Sequence, residues 1–112
     1  MNYDGRTFRP VLNTPNGEVN GATEFQYRQV DDLFEATYQG GGVRSGQMVG
    51  RVLEGGRLEF LYQHLTDAGQ LRHGHCLSIP ELLPDGRLRL HETWQWANGD
   101  RSEGTSIVEE VA

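Results

Sequence analysis

The chain has 112 residues, a formal net charge of −6, ten aromatic side chains, fifteen glycines and one cysteine. That length suits one domain over residues 1–112 that buries roughly 60 to 70% of its unfolded surface, and the lone Cys76 excludes an internal disulfide framework. Acidic residues mixed among arginines leave no basic cluster for phosphate backbones or anionic lipid, which excludes nucleic acid as a partner, and no apolar run approaches the roughly 20 residues that span a bilayer.

Residues 1–10 carry charge and glycine where a secretory signal carries an apolar run, so a cytoplasmic protein with no membrane partner is expected. Turn-forming clusters follow at residues 13–17, 31–32, 40–42, 54–56, 67–69, 84–86 and 98–100. Between them, β-branched and aromatic residues alternate with polar ones at period two, and no segment sustains a period of 3.6. The pattern predicts an all-β chain with a weak first strand over 6–12. Further strands follow over 23–30, 33–39, 44–53, 57–66, 70–80, 87–97 and 103–111. In the first strand Phe8 and Pro10 compete with Arg9 and Val11 for the inside.

Loop length fixes which residues face each other across a hairpin. A three-residue loop at 67–69, with Gly69 in the left-handed conformation, sets Leu58 against Ser78, Phe60 against Cys76 and Tyr62 against Gly74. The same rule at 84–86 sets Leu82 against Leu88, Ser78 against Glu92, Cys76 against Trp94 and Gly74 against Trp96. At 54–56 it sets Val52 against Leu58, Gly50 against Phe60, Met48 against Tyr62 and Gly46 against His64. The three hairpins put large residues of the fifth and seventh strands against small ones of the fourth and sixth, and the eighth strand is expected to offer small ones in the same way.

The shared face collects Phe25, Tyr27, Phe34, Tyr38, Phe60, Tyr62, Trp94 and Trp96, while residues such as Arg28, Glu35, Gln47, Arg51, Glu59 and Gln95 take the other. Sliding any strand by one residue would expose the aromatics, so the register is strongly specified. Up-and-down order leaves the first and last strands as edges, and pairing them removes an aggregation hazard. The expected fold is an eight-stranded antiparallel meander closed into a barrel, whose interior holds side chains or one small ligand.

The segments NYDGRTF at 2–8, GVRSGQMVG at 42–50 and CLSIPELLPDGRLRLHETWQW at 76–96 resemble a family of short bacterial proteins over nearly the whole chain. Members are often labelled N-acetylglutamate synthase, and their fold is similar to the avidin barrel. The resemblance therefore implies an avidin-like, calycin-like barrel. Acetyl-CoA transferases of the usual kind cradle pyrophosphate on an Arg/Gln-x-x-Gly-x-Gly/Ala loop at a helix start. No segment fits that form, and residues 39–42 read as a strand connection, so no cofactor is expected.

Glu92 is the most informative polar residue, because alternation places it inside with Leu88, Leu90, Trp94 and Trp96. An unpaired carboxylate there would cost several kcal/mol. Either Ser78, Ser106, Arg44 or Arg72 satisfies it, or it orients the donor group of a small ligand. Tyr27, Tyr38, Tyr62, Trp94 and Trp96 serve as core or grip a flat ligand, and His64 lies toward one rim with Arg44 and Arg72. The expected function is small-molecule binding without catalysis. The rivals are an enzyme with Glu92 as general acid or base and His64 or a tyrosine beside it, and a filled barrel that works through its surface.

His73 and His75 face out and Cys76 faces in, so the three cannot converge on a metal, although His73, His75 and His91 share the outer side. Leu61, Leu65, Leu71, Leu77, Ile79, Ile107 and Val111 make the outer side of the fifth, sixth and eighth strands less polar than the rest. A homodimer through that face is expected, unless the N-terminal segment or the connection 13–21 covers it.

Overall fold

A computed structural model describes residues 2–13, 21–98 and 101–111, the side chains of Leu12 and Asn13 excepted. The turn clusters at 13–17 and 98–100 and the connection 13–21 lie largely outside the described residues. Eight strands follow in chain order: β1 Thr7–Asn13, β2 Glu24–Val30, β3 Leu33–Gly40, β4 Val43–Val52, β5 Leu58–Thr66, β6 Leu71–Leu82, β7 Leu88–Trp96 and β8 Glu103–Glu110. Each pairs antiparallel with its neighbour in sequence, and β1 closes on β8 to make a barrel. Among the described residues, no helix is long and apolar enough to cross a membrane.

The hairpin registers agree with those read from loop length. Phe60 faces Cys76, Tyr62 faces Gly74, Ser78 faces Glu92, Gly74 faces Trp96, and Gly50 faces Phe60. The loops that set them are tight. Gly69 N donates to Thr66 O at 2.9 Å and Gly86 N to Leu83 O at 3.0 Å, with φ of +82° and +89°. Nothing stands within 4 Å of a methyl added at Gly69, so the objection to a side chain there is conformational. Gly69→Ala is expected to cost about 1 kcal/mol in urea denaturation, the penalty of a left-handed non-glycine residue.

The first strand settles with Phe8 and Pro10 buried and Arg9 and Val11 exposed. A break in register between Pro10 and Leu12 interrupts its pairing with β8, and such a bulge upsets plain alternation. A second bulge falls between Val43 and Ser45 against β5. Val43 turns inward there, and Arg44 is left exposed.

One end of the barrel is stoppered by a residue that alternation did not place. Residues 2–6 make a turn in which Arg6 N bonds Tyr3 O at 3.2 Å and Gly5 N bonds Tyr27 O at 3.0 Å. The turn drives Tyr3 into the interior, fully buried against Tyr27 and Phe34. Its hydroxyl donates to the Gly56 carbonyl, and its backbone N–H to Gln29 Oε1 at 2.9 Å.

Candidate functional site

Aromatic contacts run through the barrel as one chain. From the Tyr3 stopper they pass through Tyr27, Phe34, Phe60, Tyr62 and Trp96 to His64, Tyr38 and Phe25, with ring centroids 4.8 to 6.5 Å apart. Phe8 joins at Tyr27 and Trp94 at Trp96, so all ten aromatics belong to it. Around the stopper the packing is apolar, with Leu58, Leu88, Leu90 and Val108 fully or almost fully buried. Toward the far end it becomes polar. Buried there or midway are Thr23, His64, Thr66, Ser78, Glu92 and Ser106.

Glu92 projects from β7 between Ser78 on β6 and Ser106 on β8. Ser106 Oγ donates to Glu92 Oε1 at 3.0 Å, whereas Ser78 Oγ is buried with no hydrogen-bond partner among the described residues. Burial pushes the Glu92 carboxyl from 4.5 up to about 7, against the opposing pull of the Ser106 hydrogen bond. Tyr27, Tyr62 and Cys76 lie close enough to feel its charge. Burial raises all three, and a negative Glu92 raises them further. Cys76 is thus held as a thiol, a poor nucleophile.

Tyr38 and His64 form a second polar pair, with the tyrosine hydroxyl 2.8 Å from Nδ1. His64 is 3% exposed, which seats it within the barrel, held edge-on by Tyr38 and Trp96. The Arg72 guanidinium lies 4.4 Å over the Trp96 ring, a cation–π contact. Trp96 Nε1 is buried without a hydrogen-bond partner among the described residues, and Tyr62 donates to Gln95 O at 3.1 Å.

Trp94 differs from the other rings. Its register position, between Cys76 and Gly104, points inward, yet it is only half-buried, as are Gly104 and Arg72. The barrel is therefore accessible along this sector.

Of the nine residues singled out from the sequence, Tyr27, Tyr38, Tyr62, His64, Ser78, Glu92, Trp94 and Trp96 face one interior. Arg44 does not join them, because the bulge at its position turns it to the surface. Tyr3, Thr23 and Thr66 were missed. The Asp4-Gly5 pair, a turn signal just after Tyr3, is the feature that points to the stopper.

On the outer wall, His75 pairs with Glu59 at 3.1 Å and His91 with Glu81 at 2.8 Å, so the two imidazoles serve separate carboxylates. Among the described residues, no three His, Cys, Asp or Glu side chains gather as a metal site. Leu61, Leu71, Leu77, Ile79 and Val111 are exposed, while Leu65 and Ile107 are half-buried.

The model of the avidin-like protein family matches residues 1–111. No curated protein and no solved structure gives a significant match. Closed eight-stranded order, meander topology and a match over almost the whole length agree, and the chain belongs to the avidin-like protein family.

Proposed function

We propose that the barrel binds one small, flat, partly polar molecule, without catalysis, in the half of its interior away from Tyr3. Trp94 carries this reading. A tryptophan that points inward and is still partly exposed offers ring surface to whatever enters, beside two buried polar atoms that have no partner among the described residues, Trp96 Nε1 and Ser78 Oγ. Such atoms cost about 1 to 3 kcal/mol each while unsatisfied, and a ligand that pairs with them recovers that cost. Trp96 Nε1 can only donate, and an ionised Glu92 can only accept. The molecule that fits both has an acceptor and a donor on one apolar body. Covalent chemistry is not supported, because Cys76 is held protonated and His64 Nδ1 is engaged by Tyr38.

The test is a thermal-shift screen of small metabolites, since a ligand selective for the native state raises the unfolding midpoint. Both tryptophans of the chain face this interior, so a true ligand is expected to change tryptophan emission as well. Glu92→Gln is expected to weaken it at least about tenfold, the loss of one hydrogen bond to a charged group. A ligand that binds Glu92→Gln and Trp94→Ala as tightly as the parent would place binding elsewhere and sink the reading.

A further inference from the structure

Glutamates on the outer wall of the barrel find arginines. Glu24 lies 2.8 Å from Arg9, Glu59 2.7 Å from Arg51, and Glu109 2.8 Å from Arg89. Glu92, 9% exposed and set among rings, has a greater need of a cation, because a buried charge is disfavoured unless it is paired. Among the described residues it has none. Ser106, a neutral donor, is the one neighbour that stabilises its charge. Of the two arginines that the sequence offered it, Arg44 is turned outward by the bulge on β4, and Arg72 lies over the Trp96 ring.

The surroundings suit a flat cation brought from outside. Ser78 stands directly across the β6–β7 pair from Glu92, with Cβ atoms about 5 Å apart in such a pair. Its Oγ, without a partner among the described residues, makes a second acceptor beside the carboxylate. Trp94, two residues along the same face and so about 7 Å away, borders the accessible sector of the barrel. Its ring centroid is 5.9 Å from that of Trp96. At Trp96 the protein already makes the contact in question, since a planar guanidinium sits 4.4 Å from the centre of an indole.

We propose that the molecule bound in this interior is a flat organic cation, an amidinium or guanidinium, whose N–H groups bond Glu92 and Ser78 while its apolar body lies against Trp94. The inference rests on the binding reading above and adds the charge and class of the ligand. Planar cations present two parallel N–H groups to a carboxylate, and they are less strongly hydrated than an ammonium, so less is lost on entering an aromatic interior. The chain's net charge of −6 favours the approach of cations over anions. Binding then displaces the proton that burial keeps on Glu92 up to about pH 7. Tyr27 on β2, Tyr62 on β5 and Cys76 on β6, whose charges would couple to Glu92, are raised by burial and stay neutral, so this one carboxyl sets the pH dependence.

Benzamidine, benzamide and benzoate share one ring and differ in charge, which makes them the probes. With the full chain near pH 8, benzamidine is expected to raise the unfolding midpoint and to change tryptophan emission saturably, with a dissociation constant at least about tenfold below that of benzamide. Benzoate is expected to do neither. Lowering the pH from about 8 to about 6 should weaken benzamidine about tenfold as Glu92 takes up its proton. In Glu92→Gln, which keeps the side-chain shape, amidine and amide are expected to bind alike and without pH dependence. Benzamide or benzoate binding as tightly as benzamidine, and weakened by Glu92→Gln, would overturn the cation and leave small-molecule binding standing. Benzamidine binding indifferent both to Glu92→Gln and to pH would overturn it too, by placing the cation elsewhere. So would the absence of either signal with benzamidine, whatever ligand the metabolite screen finds.

Discussion

Gly74→Ala is expected to destabilise the barrel by about 3 kcal/mol and to lower its unfolding midpoint by about 10 to 20 °C, as overpacking in a domain of this size does. A methyl at Gly74 would fall within contact distance of the Gln95 carbonyl oxygen and of the Tyr62 hydroxyl. Neither can yield freely. The carbonyl belongs to the β7 backbone, and the hydroxyl donates to that same oxygen at 3.1 Å. Trp96, directly opposite Gly74, packs against the Tyr62 ring at 5.0 Å and closes the remaining route.

Gly46 provides the contrast. The nearest atoms to a methyl there all belong to the Tyr38 ring, a side chain. Gly46→Ala is therefore expected to cost much less in a Tyr38→Leu background than in the parent, whereas Gly74→Ala keeps most of its cost in a Tyr62→Leu background because the carbonyl remains. Urea denaturation of both double-mutant cycles measures the difference as a coupling energy. A Gly74→Ala protein as stable as the parent would remove the account of the interior as large residues fitted against small ones.

The same fit explains how much could be read in advance. Gly46, Gly50 and Gly74 lie opposite His64, Phe60 and Tyr62 because two short loops fix the register, and loop length is visible in sequence. Glu92 was visible for the same reason, since strict alternation from Leu88 to Trp96 leaves it no outward position. Pattern failed where alternation itself fails. The bulge beside Arg44 directly follows Gly40, Gly41 and Gly42, which read as turn residues and so do not single it out, and the one between Pro10 and Leu12 blurs the face of β1. Tyr3 belongs to no strand, so no period could place it. The Tyr38–His64 bond joins β3 to β5 across β4, through side-chain reach that a register does not encode.

Glu92→Gln is expected to abolish a fall in stability of about 3 kcal/mol between pH 4.5 and 7. The sign follows from where the proton sits. In the unfolded chain the carboxyl ionises near its ordinary value of 4.5, and in the barrel, where burial disfavours the charge, only at about 7. Below pH 4.5 both states hold the proton and stability is full. Between the two values the fold keeps a proton that the unfolded chain has released, so stability falls as pH rises, and above pH 7 it levels off at its lower value. Tyr27, Tyr62 and Cys76, which feel the charge of the carboxyl, are all raised out of this window and stay neutral through it. Glu59 and Glu81, held low by side-chain hydrogen bonds on the outer wall, are common to parent and variant and cancel in the difference. Urea denaturation of both proteins at half-unit steps from pH 4 to 8 gives that difference directly. It should change by about 3 kcal/mol across the window, with Glu92→Gln the more stable protein relative to the parent at the alkaline end. A difference that does not vary with pH would mean that Glu92 is ionised in the fold at little cost. It would then be satisfied from within the chain and have no need of the donor group that the binding proposal assigns to a ligand.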